Sequence, residues 1–454
     1  MAEPSNHGMS KRGWNNVEAI MPKIRGAVAE RKITNNAKID LSTAENWLIR
    51  SELIDICKES IVQRLEPKHL SYPRGFSGEP DLLDACASFF NEYFHPHVPV
   101  LPSHLSTAPG ASGCIDALLY NICEAGDGIL IPSPYWNGFD FGIRVRSSVN
   151  PVLVPLPSFN SNFSGELLPA LEDAYRSATC PIRALMITNP HNPLAVCYPK
   201  AILEDCLRFC KKYNLHFMSD EVYALSIFSS PDLADARPFV SVLSLDLDEI
   251  GADKSRVHMV WSTSKDFGQS GFRMGCAVTQ FNEEMAVGLA LAANTQTSAL
   301  STIFTTSLLT SPKLPSLIAL NSRRLSSAYT SLTTFFKENG IPYVPCNAGM
   351  YVFAKISPQA ETWEDEMKVV TKLKEAGMLV SAGKAYHGPD SEKGWARVGF
   401  AVEESELHEA IRRMKTVILE EGREDSINDV ETKAPLTPDD LNGLSMKRKV
   451  AQLS

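Results

Sequence analysis

Val257-His258-Met259-Val260-Trp261-Ser262-Thr263-Ser264-Lys265-Asp266-Phe267-Gly268 is the stretch on which the reading of this chain turns. Its first half is a short apolar run, the pattern of a strand covered on both faces. Its second half is small and polar and carries one lysine. A strand that stops on such a cluster leaves the polar residues at a sheet edge. Working outward, the same pattern recurs in Gly128-Ile129-Leu130-Ile131-Pro132, Ala184-Leu185-Met186-Ile187-Thr188 and Leu215-His216-Phe217-Met218-Ser219. Helix candidates lie between the runs: Ser112 to Cys123, Pro199 to Tyr213 and Asn282 to Leu308. Strand and helix alternating in this way predict an α/β fold, with a mostly parallel sheet covered by helices on both faces.

After about residue 315 the pattern changes. Ser316 to Asn339 reads as a long helix, and Tyr343-Val344 and Met350-Tyr351-Val352-Phe353 read as strands of a smaller α+β unit. The expected division is a helical segment over 1–60 packing beside that unit, a large domain over 61–315, a small domain over 316–421 and a polar, frayed tail over 422–454.

Composition narrows the class. The 454 residues carry a formal net charge of −9, against the basic patch of a nucleic-acid binder. No run approaches the roughly 18 apolar residues of a membrane span, and Met1 to Arg12 lack the apolar core of a signal peptide. A cytoplasmic protein with no nucleic-acid or membrane partner is the expectation. The ten cysteines are scattered, several inside apolar runs, and read as buried free thiols. Cys206 and Cys210, four apart without a nearby histidine, and His95-Pro96-His97, split by proline, make poor metal sites, so no metal is expected.

Ligands of open α/β sheets sit at the carboxyl edge of the strands. Polar clusters fall there repeatedly. Gly110-Ala111-Ser112-Gly113 opens a helix, and its free N–H groups suit a phosphate or an ordinary cap. Asn189-Pro190-His191-Asn192-Pro193 follows the strand ending at Thr188, and its prolines make a rigid turn that aims Asn192. Ser219-Asp220-Glu221-Val222-Tyr223 ends the next strand. Ser262 to Gly268 ends the last, followed by Gly271 and Arg273. Each alone reads as a turn, a surface acid or a solvated lysine; their order and spacing together do not.

In that order the clusters resemble a fold-type I pyridoxal 5′-phosphate (PLP) enzyme of the class I/II aminotransferase family, over roughly residues 35 to 415. The resemblance is strongest to the branch of 1-aminocyclopropane-1-carboxylate synthase. It implies the aspartate aminotransferase fold, with a seven-stranded type of sheet in the large, PLP-binding domain. It implies that Lys265 forms the Schiff base with the cofactor and moves the α-proton, and that Asp220 pairs with the pyridine nitrogen. Tyr223 and Asn192 would bond the phenolic oxygen. Gly110, Ala111, Ser112, Ser262 and Arg273 would hold the phosphate, and Trp136 would stack on the ring. On the substrate side it implies Arg397, in Gly394-Trp395-Ala396-Arg397-Val398, as the carboxylate clamp, with Tyr135, Glu45 and Asn46 near the substrate. Tyr72, in Ser71-Tyr72-Pro73-Arg74-Gly75, resembles the tyrosine that reaches the phosphate of a second subunit, which implies a homodimer with shared sites. One departure concerns the turn after Asn192-Pro193: the family often has a glycine where this chain has Ala195.

These residues serve several PLP reactions. The leading reading is an aminotransferase working on a small-molecule α-amino acid and a 2-oxo acid, with an aromatic or large apolar side chain. The alternative is a carbon–sulfur lyase or synthase-like elimination enzyme, of the kind that serves fungal specialised metabolism, including disulfide-bridged toxins. A non-catalytic binding protein on the same fold is opposed by the full set of Lys265, Asp220, Tyr223, Arg273 and Arg397.

Overall fold

The computed structural model describes residues 8–21, 38–293 and 296–431. After a short strand β1 (Ile39–Asp40), the chain lays down β2 (Leu105–Ala108), β3 (Gly128–Pro132), β4 (Asn150–Val154), β5 (Ile182–Thr188), β6 (His216–Asp220), β7 (Val257–Ser262) and β8 (Gly275–Val278). The last seven form one sheet in the order β2-β8-β7-β6-β5-β3-β4. All neighbours are parallel except β8, which runs antiparallel to both β2 and β7.

The apolar runs read as strands because the sheet is buried on both faces. Along β7, Met259 and Trp261 enter the core on one side and Val260 the core on the other. Leu130, Leu185 and Phe217 repeat the first choice, and Ile129, Met186 and Met218 the second. The register is what builds a site: Thr188 lies beside Asp220, and Ser262 beside Gly275. Polar residues that are far apart in sequence therefore meet along one edge.

A second core gathers β9 (Tyr351–Ala354), β10 (Met378–Leu379), β11 (Ser381–Ala382) and β12 (Ala396–Gly399) with the helices Leu314–Glu338, Trp363–Glu375 and Glu404–Glu431. β9, β11 and β12 form an antiparallel sheet in the order β11-β12-β9, and β10 pairs in parallel with β1. The chain near residue 40 is thus stitched to the small unit. The helix Leu314–Glu338 serves both cores, its first turn in the large one and Leu325 to Phe336 in the small one.

Several details differ from the sequence reading. The helix expected from Asn282 to Leu308 is two, Glu283–Ala293 and Ala299–Leu309, the second capped by Ser298, whose hydroxyl accepts from Leu300 N–H. Tyr343 makes a single bridge to Ala354 rather than a strand. The first sixty residues are not helical throughout: helices over 11–21 and Arg50–Arg64 flank the extended β1. The last helix runs to Glu431, past Arg423 where fraying was expected, and the rest of that tail lies outside the described residues. Among the described residues no helix is long and apolar enough to cross a membrane.

Candidate active site

The carboxyl edge of the large sheet and the facing edge of the small unit enclose a cavity of about 380 Å³. Ala111, Ser112, Trp136, Asn192, Asp220, Tyr223, Ser262, Lys265, Arg273 and Arg397 all line it. The structure therefore brings together most of the residues picked out in the sequence. Ser42, Thr43 and Ala44 close one side, and Ser381 and Tyr386 another.

Lys265 stands in a single helical turn, Thr263–Asp266, that the Ser262 hydroxyl caps by accepting from Ser264 N–H at 3.3 Å. Its Nζ donates to the Ala44 carbonyl at 2.6 Å. Burial first, and then the Arg397 guanidinium, bring the Lys265 pKa down to about 8. Asp220 ends β6. Burial pushes its carboxyl up to about 7, although the Val222 N–H, Lys265 and the Thr188 hydroxyl, in that order, work against it. Its Oδ1 is buried and has no hydrogen-bond partner among the described residues. An unpaired buried carboxylate oxygen is costly, and a protonated ring nitrogen is the partner that would satisfy it. Tyr223, also buried, has its phenol pushed up to about 12, chiefly by burial.

Arg397 is 4% exposed. One arm, Nη1, donates to Asn192 Oδ1 at 3.0 Å and the other, Nη2, to the Ser42 carbonyl at 2.6 Å. Its guanidinium carbon lies 4.7 Å from the centre of the Tyr351 ring and 5.3 Å from that of Tyr386, which fixes its plane.

A phosphate-sized cradle lies beside this group. The helix Gly110–Ile122 points its N-terminus into the cavity, and Arg273 reaches back to the Pro109 carbonyl at 3.0 Å. Gly110 has φ +80°, and a Cβ there would meet Arg273 Nη2 at 2.7 Å. A Cβ on Gly275 would strike the Gly110 backbone at 2.3 Å. Only glycine lets the strand, the helix start and the guanidinium converge, leaving N–H groups and a cation aimed at one point. The residues present thus fit PLP: an amine, a carboxylate lacking a partner and an anion cradle.

Other candidates fall elsewhere. Tyr135 turns away from the cavity, its hydroxyl donating to Asp140 Oδ1 at 2.8 Å, so Trp136 and not Tyr135 faces the site. Asn46 is fully buried and donates to Asn321 Oδ1 at 2.8 Å. Glu45 sits behind the cavity wall, accepting from Ser270 at 2.5 Å and Arg50 at 2.9 Å. Tyr72 is 85% exposed and does not reach the cavity of its own chain. Ala195 takes φ +56°, so the turn keeps the left-handed conformation without a glycine, at a cost of about 1 kcal/mol. Sequence reasoning missed the carbonyls of Ser42 and Ala44, which no side-chain pattern reveals, and Tyr386.

Comparison with known proteins agrees with this geometry. Residues 37–414 match the family model described as aminotransferase class I and II. The chain is 55% identical over 411 residues to the probable aminotransferase aclI of Aspergillus oryzae, covering 90% of this chain and 98% of that one. It is 37% identical to the probable aminotransferase gliI of Aspergillus fumigatus, covering 85% and 90%. To the bovine 1-aminocyclopropane-1-carboxylate synthase-like protein 1 it is 32% identical, covering 84% and 76%. In fold it is similar to the aspartate aminotransferase of Thermus thermophilus, with a TM-score of 0.72 at 21% identity over 90% and 99% of the two chains. The chain belongs to the class I and II aminotransferase family and is a PLP-dependent enzyme of the aspartate aminotransferase fold.

Proposed function

We propose that this enzyme transfers the amino group of an α-amino acid to a 2-oxo acid. The observation that carries the reading is the opposition, within one cavity, of the Lys265 amine, the unpartnered Asp220 oxygen and the buried Arg397 fork. Bound PLP supplies the electron sink that stabilises negative charge at the substrate Cα. The chain's own residues do the rest. Arg397, held flat by Tyr351 and Tyr386, takes the substrate carboxylate in place of the Ser42 carbonyl. That fixes which Cα bond faces Lys265. With its pKa near 8, the Lys265 amine is neutral in a useful fraction at neutral pH and takes the Cα proton. Asp220 holds a proton on the cofactor nitrogen; Tyr223 and Asn192 act on the phenolic oxygen. Ala111, Ser112, Ser262 and Arg273 would hold the phosphate, and Trp136 lies on the cavity wall where it would meet the ring. The apolar walls, Ile115, Phe139, Val222 and Trp136, suit a large apolar or aromatic side chain.

Tyr72 completes the reading only from a second copy. It shares its stretch of surface with Leu70, which is 87% exposed. A homodimer covers them and carries Tyr72 to the other cradle. The enzyme works in the cytoplasm.

One feature favours a second reading, a carbon–sulfur lyase. Among the described residues lining the cavity the cations are Lys265, Arg273 and Arg397, each already engaged. A dicarboxylate amino acceptor therefore finds no cation of this chain for its far carboxylate. Titrating the PLP-loaded enzyme with single amino acids and cysteine conjugates, with no 2-oxo acid added, separates the two. One equivalent of 2-oxo acid per site, with the cofactor left in its amine form, supports amino transfer. Continuous release of ammonia and thiol replaces it with the lyase.

A further inference from the structure

Two segments from different domains meet at the rim of the cavity. From the large domain comes Tyr135-Trp136-Asn137-Gly138-Phe139-Asp140, in which Trp136, Asn137 and Phe139 line the cavity. From the small domain comes 381–387, in which Ser381 and Tyr386 line it. Apart from Tyr386, the residues that hold the two together do not line the cavity. Tyr135 N–H donates to the Tyr386 carbonyl at 2.9 Å. His387 Nε2 lies 2.8 Å from Asp140 Oδ2, and the Tyr135 hydroxyl donates to Asp140 Oδ1 at 2.8 Å. The Tyr135 and His387 rings lie 4.7 Å apart at 33°.

We propose that Asp140 and His387 form an interdomain clasp that positions Trp136 and Tyr386 about the substrate. The clasp rests on the reading of this cavity as the active site. Its logic is positional. Asp140 stands in the first turn of the helix Phe139–Val145, directly after cavity-lining Phe139, and His387 follows Tyr386, whose ring lies against Arg397. Tightening the pair draws both walls inward; loosening it lets the small domain and its arginine drift from Lys265. The pair is half-buried, with 34% of the His387 and 31% of the Asp140 side chain exposed, so water competes for the bond only in part. Burial alone would raise the Asp140 pKa, yet the bonds from His387 and Tyr135 hold it below the ordinary carboxylate range. His387 also has φ +59°, a conformation that side chains other than glycine rarely adopt. That angle belongs to its place as the left-handed cap that ends the helical turn Gly383–Tyr386, and it sets the direction in which the imidazole leaves the small domain.

The test uses the full-length, PLP-loaded enzyme with an amino acid it turns over. Asp140→Ala and His387→Gly, the latter chosen because glycine accepts the backbone angle, each raise KM about fivefold to tenfold with kcat within about twofold. The double variant is no worse than the worse single one, because one interaction is lost once. Asp140→Asn, whose amide can bond either tautomer of His387, stays near the parent. All variants keep bound PLP and its visible spectrum. Parental KM in both single variants overturns the clasp, as do effects that multiply in the double variant. Asp140→Asn as impaired as Asp140→Ala overturns it too, as does loss of kcat and cofactor together, which marks a purely structural role. Failure of the active-site reading shows separately, as full turnover by Lys265→Ala.

Discussion

Lys265 and Asp220 face one cavity without pairing: the amine donates to the Ala44 carbonyl at 2.6 Å, while Asp220 Oδ1 has no partner among the described residues. Burial moves both toward neutrality, the lysine down to about 8 and the aspartate up to about 7. Two groups that would each be fully ionised in water are thus brought near the pH at which proton transfer is efficient.

The first consequence concerns uptake of the cofactor. Only the neutral amine of Lys265 can attack an aldehyde, so the rate of PLP incorporation into cofactor-free enzyme rises with pH. Its midpoint is expected at about 8 rather than near the ordinary lysine value of 10.5. Because the Arg397 guanidinium adds to the depression, Arg397→Gln shifts that midpoint upward. Stopped-flow absorbance across pH 6 to 10.5 checks both; a midpoint unmoved by the substitution would separate the two residues electrostatically.

Asp220→Asn keeps the shape of the side chain and removes its charge. An amide cannot hold a proton on the cofactor ring, so turnover is expected to fall on the order of 10²- to 10³-fold while PLP still binds. Steady-state kinetics beside the visible spectrum distinguish this from loss of the cofactor.

How much of this was legible in the sequence follows from what each residue depends on. The strand ending at Ser262 announces itself because a doubly covered parallel strand must be apolar on both faces. Lys265, Asp220 and Asn192 were legible as candidates because each stands at the end of such a strand or a few residues past it. Tyr135 was placed near the substrate beside Trp136, but neighbours on a turn point apart in a direction that only the fold decides, and Asp140 claims the tyrosine. Glu45 and Asn46 were drawn to the site by position in the chain, but their partners are Arg50, Ser270 and Asn321, contacts remote in sequence for all but the first. The break between Ala293 and Ala299 was signalled only by the short polar run at 294–298, too brief beside two largely apolar or small-residue helices to be read as a loop.

Asp266, next to the lysine, gives a prediction about stability. It is buried, bonded by Trp261 Nε1 at 2.9 Å and the Ser226 hydroxyl at 2.7 Å, and burial pushes its pKa up to about 7 from 3.8. The folded state therefore holds this proton more tightly than the unfolded one. Its contribution is fully present below pH 3.8 and is lost as pH rises through about 7. Asp266→Asn cannot titrate. The stability of the parent relative to this variant is expected to fall between pH 4.5 and 7.5, by a few kcal/mol at most. Thermal or urea unfolding of both proteins at the two pH values measures it; a difference that does not change with pH would mean that the carboxyl is ionised throughout.

Tyr72 gives the sharpest test of assembly, because its own cavity is out of reach and its side chain is 85% exposed. If each site takes Lys265 from one subunit and Tyr72 from the other, Lys265→Ala and Tyr72→Ala damage opposite partners of the same site. Each homodimer alone is impaired at both sites. In a mixed dimer one site receives both substitutions, and the other receives neither. Mixing equal amounts under conditions that allow exchange should therefore restore activity to roughly a quarter of the parent, since half of the dimers are mixed and each has one intact site. Size-exclusion chromatography confirms the dimer, and the assay is run before and after exchange. Activity that stays at the average of the two homodimers would mean that Tyr72 serves no neighbouring site, and the exposed surface around Leu70 would then need another occupant.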